Sequence, residues 1–300
     1  MSSPEVQLLL ASARERVDAL LDAWSERVQT IVPGRTGEAL GYALTTPGKR
    51  VRAALVMSAY QSVGGVSPAI AAVAAAVETV HTYSLVHDDL PCMDDDDLRR
   101  GRPTTHRVYD VPPATRDGFL LVPVAALVLS HAARDLVLQP PTLGRMAREL
   151  FESGGIEGMV GGQWLDLEAE GRSLDHDGLI AVHRGKTGAL IRAACILGGI
   201  AAEAPDAAIS ALGDYGQEIG LAFQIADDLL DVTGTSATLG KTAGRDAALA
   251  KSTYVSVLGV ERARSEAAAL ASHAIRHLEQ AGIAAGVLGA LAQYIVSRES

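Results

Sequence analysis

The chain has 300 residues, 48% of them apolar and 4% aromatic, which is ample for one sizeable core built from Ala, Leu, Val and Ile. Its formal net charge of −10 argues against nucleic acid or an anionic membrane surface as the main partner, and a polyanionic substrate would have to arrive with metal ions. Cys92 and Cys195 stand apart with no CxxC spacing, so both read as small, buried, reduced thiols in a cytoplasmic protein.

The N-terminal stretch MSSPEVQLLLASARERV lacks the basic start and unbroken apolar run of a secretion signal. It reads instead as a helix capped by Ser3 with Pro4 in the first turn. From there on, apolar residues recur at spacings of three and four, with no convincing alternation of the strand type. One long helix is expected over 67–89 (SPAIAAVAAAVETVHTYSLVHDD) and another over 206–232 (DAAISALGDYGQEIGLAFQIADDLLDV).

Breaks are expected at Thr46–Gly48, Gly64–Pro68, Pro91, Gly101–Pro103, Pro112–Pro113, Pro140–Pro141, Gly171–Asp177, Ala204–Pro205 and Gly234–Gly244. These connections are short, and no linker or solenoid repeat interrupts them. The pattern is all-α: residues 1–300 read as a single bundle-like domain of about ten to thirteen helices.

FLLVPVAALVLSHAA, Phe119 to Ala133, is the most apolar run, but it is short for a bilayer and holds Pro123, Ser130 and His131. It is expected to be a buried helix and not a membrane span. GGIEGMVGG, 154–162, places small residues at spacings of three, four and seven, so one helical face is expected to be nearly bare and to let a neighbouring helix or a ligand come close.

Two aspartate-rich sites carry the chemistry. Asp88 and Asp89 close the first long helix and Asp94 follows after four residues, within a stretch that holds six aspartates in ten positions. In FQIADDLLD, Asp227 and Asp231 lie one helical turn apart with Asp228 beside them, and Gln224 shares their face. Carboxylates crowded in this way raise one another's pKa unless a cation intervenes. An all-oxygen ligand set without clustered Cys or His suits Mg²⁺, held together with substrate phosphates. Arg99, Arg100 and Arg102 follow the first site, and a guanidinium fork matches phosphate oxygens.

GKRVR (48–52), HRGKTGALIR (183–192) and LGKTAGRDAALAKSTY (239–254) add further phosphate-type residues, none of which fits the GxxxxGK[ST] loop. Together with the two aspartate sites, GMVGGQWLDLEAEG and the terminal YIVSRES, they make the chain resemble the trans-isoprenyl diphosphate synthases from about Gly41 to Arg298. The bacterial short-chain enzymes of the farnesyl diphosphate synthase type are the most similar.

The resemblance implies an isoprenoid-synthase-type bundle around a central cavity. It implies that Asp88, Asp89, Asp94, Asp227, Asp228 and Asp231 hold Mg²⁺, usually three ions, against the diphosphate of an allylic substrate. Arg99, Lys186, Thr187, Gln224, Lys241 and Lys251 match positions lining that site. Lys49, Arg52, His81 and Arg100 match the pocket for isopentenyl diphosphate. His81 sits seven residues before Asp88, which places both on one helical face. His87, His106, His131 and His183 are expected to cap or pack.

The implied reaction is a head-to-tail condensation: metal and cationic side chains stabilise the departing diphosphate, and the alkene of isopentenyl diphosphate attacks the allylic cation. An apolar, water-poor pocket must shelter that cation. A homodimer is implied by the family alone. In the family, bulk just before the first aspartate motif limits product length. Tyr83 with Ser84 and the four-residue spacer Leu90–Met93 resemble the C15 enzymes, although Tyr83 points away from Asp88 on an ideal wheel. A geranyl or geranylgeranyl product is the alternative.

The stretch 109–127, YDVPPATRDGFLLVPVAAL, departs from the family's FGEAxAILAGDALL: the Gly-Glu pair is absent, two prolines enter, and Phe119 stands where the family has Asp. The departures fall on a helix start, the floor of the elongation pocket and the dimer contact. Ala53 and Ala250 are smaller ones. A terpene cyclase would carry an Asn/Asp-Ser/Thr-Glu second site, and this chain contains no asparagine. A non-catalytic partner subunit of a prenyl synthase is the remaining alternative.

Overall fold

Val6, Ala13, Val17, Leu21, Trp24 and Val28 recur at helical spacing, and helix α1 (Pro4–Ile31) buries them as one stripe. The computed structural model describes residues 4–169, 171–233 and 252–298. After α1 come α2 (Arg35–Leu44), α3 (Val51–Ser62) and α4 (Ile70–Asp88), then a hairpin of β1 (Leu98–Arg99) and β2 (Arg102–Pro103). The chain continues through α5 (Thr105–Tyr109), α6 (Val111–Asp135), α7 (Pro140–Gly154), α8 (Met159–Glu168) and α9 (His176–His183). A π-helical turn (Arg184–Gly188) leads into α10 (Ala189–Ala201) and α11 (Asp206–Thr233). The last elements are α12 (Tyr254–Leu258), α13 (Val260–Gln280) and α14 (Gly286–Ser297). Among the described residues twelve helices have eight residues or more, within the expected range, and the only pairing of strands is that two-residue hairpin.

α4 is apolar on every side, from Ile70 through Val77 to Val86, and such a helix has to be surrounded. It packs against α6, α3, α1 and α10. Leu40, Leu44, Leu55, Leu121, Leu129 and Leu150 belong to the same core and are essentially fully buried, each worth about 1.5–3 kcal/mol of transfer free energy. A second, smaller apolar cluster joins Leu179, Leu221, Ile225 and Tyr254 across α9, α11 and α12.

The expected break at Pro112–Pro113 is corrected. The chain turns two residues before Pro112, at Asp110 with φ 71°, and the two prolines occupy the first turn of α6, where their missing N–H groups have no helical partner to lose. Pro123 stays inside α6 and leaves the carbonyl of Phe119 without its helical donor. α6 is the one described helix long and apolar enough to cross a bilayer, and half of its most apolar stretch is buried inside the protein. Cys195 is buried as expected, but Cys92 is exposed, because the turn after α4 carries it outward. Ser3, Lys241, Lys251 and the break at Gly234–Gly244 lie outside the described residues.

Candidate active site

α4 stops at Asp88, and the spacer Leu90–Met93 folds into a turn that brings the aspartate run back over the helix end. The Asp94 amide donates to the Asp88 carbonyl at 2.9 Å, and the Asp96 amide to the Asp89 carbonyl at 3.2 Å. Burial pushes the Asp88 carboxyl up to about 6; Lys186 opposes the shift and Asp94 adds to it. Asp89 has another environment: it is buried, and its Oδ1 accepts from both Nε and Nη2 of Arg99, whose Nη2 also reaches Asp96 at 3.0 Å.

Arg100 and Gly101, with φ of 54° and 77°, form the two-residue turn of the β1–β2 hairpin, which needs left-handed backbone at both positions. That turn sends Arg100 to the carbonyl of Pro47 at 2.8 Å, over Gly48, where a Cβ would sit 2.5 Å from the guanidinium. Lys49, Arg52 and His81 gather beside it. Burial lowers the Lys49 pKa, with Arg298 adding and Asp227 opposing. Burial also lowers Arg52 to about 10, with Glu78 opposing. Arg52 Nη1 lies 3.3 Å from His81 Nε2, and burial, then Arg52, hold that imidazole neutral. Glu78 is the counter-charge of this cationic nest: its Oε1 accepts from the Ala53 amide at 3.1 Å and its Oε2 from Arg50 at 3.3 Å.

The second aspartate site is built by α11, the π-turn and the residues on either side. Gln224 accepts from Thr187 Oγ1 at 3.0 Å and donates to Asp228 Oδ1 at 3.0 Å, and the Tyr254 amide donates to Asp228 Oδ2 at 2.7 Å. Arg298 donates to Asp227 Oδ1 at 2.6 Å. Lys186 donates to Asp166 of α8 at 2.6 Å. The predicted small-residue approach is here: a Cβ on Gly162 would lie 1.9 Å from the Lys186 backbone nitrogen, so α8 touches the π-turn backbone to backbone.

Beneath Asp88 lies a cavity of about 230 Å³. Tyr83, Ser84 and His87 form its α4 side, Met159, Gln163 and Trp164 belong to its α8 side, and Asp88, Met93 and Lys186 also line it. Tyr83 and Asp88 therefore share one space although they stand about 140° apart on an ideal helix. Both lie within the last two turns of α4, and the cavity wraps that end of the helix.

The structure thus groups Asp88, Lys186, Tyr83 and Ser84 around the cavity, and Lys49, Arg52, His81 and Arg100 in the cationic nest. It groups Thr187, Gln224 and Asp228 at the π-turn, while Asp227 pairs with Arg298 and Asp231 is buried on α11. His81 turns to Arg52 in the nest, while Asp88 lines the cavity. Arg99 pairs with carboxylates here. Of the four histidines expected to pack, His87 instead lines the cavity. Buried His106 contacts Thr104, His131 meets Trp24 edge-on, and His183 stacks on Tyr254, with burial lowering its pKa to about 4.

Sequence reasoning missed Asp166, Glu78 and Arg298. Glu78 had a usable signal, a lone acid within an apolar helix, which has to find a buried partner. Among the described residues no three His, Cys, Asp or Glu side chains already converge as a metal cage.

Residues 35–286 match the family described as polyprenyl synthetase. The chain is 45% identical over 265 residues to the farnesyl diphosphate synthase of Escherichia coli K12, covering 87% of this chain and 88% of that protein. An apo FPP/GFPP synthase from Zymomonas mobilis superposes with a TM-score of 0.84 at 34% identity, covering 99% of this chain and 100% of that one. A geranyltransferase from Helicobacter pylori, solved with magnesium and isoprenyl diphosphate, superposes with a TM-score of 0.80 at 30% identity, covering 99% and 97%. The chain belongs to the polyprenyl synthetase family.

Proposed function

We propose that the protein is a prenyltransferase that condenses isopentenyl diphosphate head-to-tail with dimethylallyl or geranyl diphosphate, giving a short-chain (E)-prenyl diphosphate, foremost the C15 farnesyl diphosphate. The observation that carries this is the apolar cavity directly beneath Asp88, with Lys186 at the same opening and the cationic nest of Lys49, Arg52, His81 and Arg100 nearby. A diphosphate head and a hydrocarbon tail find their own environments within one site.

The carboxylates fit Mg²⁺. They are hard oxygen donors, and burial leaves Asp88 with a raised pKa that a cation would relieve. Because they do not form a closed cage, substrate phosphates and water would complete the coordination. Asp88, Asp89, Asp94, Asp227, Asp228 and Asp231 are the proposed holders of three ions, which when bound would supply Lewis-acid stabilisation of the leaving diphosphate.

Lys186, Thr187, Gln224 and Arg99, with Lys241 and Lys251 from outside the described residues, are assigned to the allylic diphosphate. The nest is assigned to isopentenyl diphosphate, where a neutral His81 can accept from Arg52 and leave that guanidinium oriented. Met93, Met159, Val160 and Trp164 exclude water from the allylic carbon, and Tyr83 and Ser84 limit chain growth. Residues 1–300 act as one domain in this reading. Phe119, Pro123 and Leu127, an outward apolar stripe on α6, support a homodimer; the two free cysteines support a cytoplasmic enzyme, and the net charge argues against a nucleic-acid partner.

The test is product analysis by mass spectrometry after incubation with Mg²⁺, isopentenyl diphosphate and, in separate tubes, dimethylallyl, geranyl or farnesyl diphosphate. C15 from the first two, abolished by a chelator, is expected. A dominant C20 product would discard the length assignment, and no product from any tube would overturn the activity.

A further inference from the structure

Three rings stand in file from the cavity to the outer face of α6. His87 lines the cavity with Tyr83, one turn earlier on α4, and their ring centroids lie 5.1 Å apart at an interplanar angle of 73°. On its other side His87 meets Phe119 of α6, centroids 5.5 Å apart at 79°. Phe119 is 67% exposed, so the cavity wall along this line is two rings thick. Edge-to-face pairs of this kind are worth about 0.5–1.5 kcal/mol beyond their buried area.

The imidazole is also fixed along its edge. Its Nε2 lies 3.2 Å from the carbonyl oxygen of Thr115, as in a donated hydrogen bond from the Nε2–H tautomer. It rests directly on Gly118, where a Cβ would lie 1.9 Å from Nε2 and 2.2 Å from Cδ2. Two consecutive residues of α6 therefore act on one ring in opposite senses: Phe119 blocks its movement outward, and the bare backbone of Gly118 gives it room. Neither residue lines the cavity itself.

We infer that Phe119 and Gly118 are specificity-determining residues that set product length through His87, adding to the bulk of Tyr83 a wall position controlled from α6. The inference rests on the proposed prenyl-chain elongation. Phe119→Ala takes away the outer plate, so His87 can move into the space that the phenyl ring leaves, and the cavity gains width beside a growing chain. Gly118→Ala leaves Phe119 in place and pushes the imidazole the other way, into the cavity.

The experiment compares product distributions for the wild type, Phe119→Ala, Phe119→Leu, Gly118→Ala and the Phe119→Ala/Gly118→Ala pair, each with Mg²⁺, isopentenyl diphosphate and dimethylallyl diphosphate. The readout is the ratio of chain lengths among products, which does not depend on how much of a variant folds. Phe119→Ala is expected to raise the ratio of C20 to C15 by about tenfold, the scale on which an apolar pocket discriminates by bulk. Phe119→Leu is expected to do so less. Gly118→Ala is expected to raise the ratio of C10 to C15, and the double variant to return toward the wild-type distribution, because the space left by Phe119 receives the displaced ring. A destabilised fold or a weakened dimer would lower turnover without producing opposite shifts that compensate each other. Wild-type ratios in both Phe119 variants and in Gly118→Ala would overturn the inference. A wild type that makes no product overturns the proposed activity itself, and the two failures are told apart by that tube alone.

Discussion

Arg298 and Asp227 form an ion pair, Nη2 to Oδ1 at 2.6 Å, that ties the end of α14 to the second aspartate site. The same guanidinium stacks 3.9 Å from the Phe223 ring centroid and donates to the Phe223 carbonyl at 3.2 Å, one turn before Asp227 on α11. Arg298 is almost fully buried while Asp227 is 43% exposed, so the carboxylate can exchange its partner where the guanidinium cannot readily leave.

Two effects of Arg298→Ala follow, with opposite signs. Losing the stacked, hydrogen-bonded guanidinium costs about 1–3 kcal/mol, seen as a fall in Tm of a few degrees. Removing the cation that competes for Asp227 lowers the Mg²⁺ concentration needed, with inorganic diphosphate present, to raise Tm. Arg298→Lys keeps the charge and loses the planar stack, so its Tm falls while its Mg²⁺ requirement stays near the wild type. An unchanged Mg²⁺ midpoint in Arg298→Ala would show that the pair does not compete with metal.

The two long helices that end in aspartates were legible because period and charge agree there: an apolar run, then carboxylates on the last turn. Periodicity could not indicate what those carboxylates touch. Asp88 and Asp89 are neighbours in a repeated letter pattern, yet one lines the cavity and the other is bound by Arg99, a difference set by the turn at Leu90–Met93 and the hairpin behind it. The ideal wheel separated Tyr83 from Asp88 because it describes directions within one helix, whereas the cavity curves around the last two turns of α4 and meets both. Pro112 and Pro113 read as a break because proline usually marks one. Their place in the first turn depends on the left-handed Asp110 before them, which no local pattern announces. Glu78 and Arg50 pair across 28 positions, and such a pairing becomes visible only when α3 and α4 are packed.

Asp117 on α6 gives a pH dependence of known sign. The residue is fully buried, its two carboxyl oxygens have no hydrogen-bond partner among the described residues, and burial, opposed by Arg116, pushes its pKa up to about 7. An unfolded aspartate titrates at about 3.9. Between these values the folded chain keeps a proton that the unfolded chain has released, so stability falls as pH rises from about 4 to about 7 and levels off above. Asp117→Asn is neutral throughout and escapes that decline. Its Tm relative to the wild type is expected to increase from pH 5 to about pH 7 and to hold beyond that, and parallel curves would show that Asp117 does not carry the proton.

Gly162 tests the close approach on which the position of Lys186 depends. A Cβ there would lie 1.9 Å from the Lys186 amide nitrogen and 2.4 Å from the Gly185 carbonyl carbon, both backbone atoms, so no change of rotamer relieves the clash. α8 and the π-turn have to separate. The Lys186–Asp166 pair, 2.6 Å long, spans those same two elements and would lengthen with them. Gly162→Ala is therefore expected to cost at least about 1–3 kcal/mol, as overpacking does, and to raise the KM for the allylic diphosphate more than that for isopentenyl diphosphate. Gly144→Ala on α7 is the control: a Cβ there meets nothing within 4 Å, and replacing a helical glycine by alanine stabilises by about 0.5–1 kcal/mol. If Gly162→Ala matched that control in Tm and in both KM values, the contact between α8 and the π-turn would be too loose to position Lys186. A loss confined to the allylic substrate would place the lysine's function on the geometry of this one backbone contact.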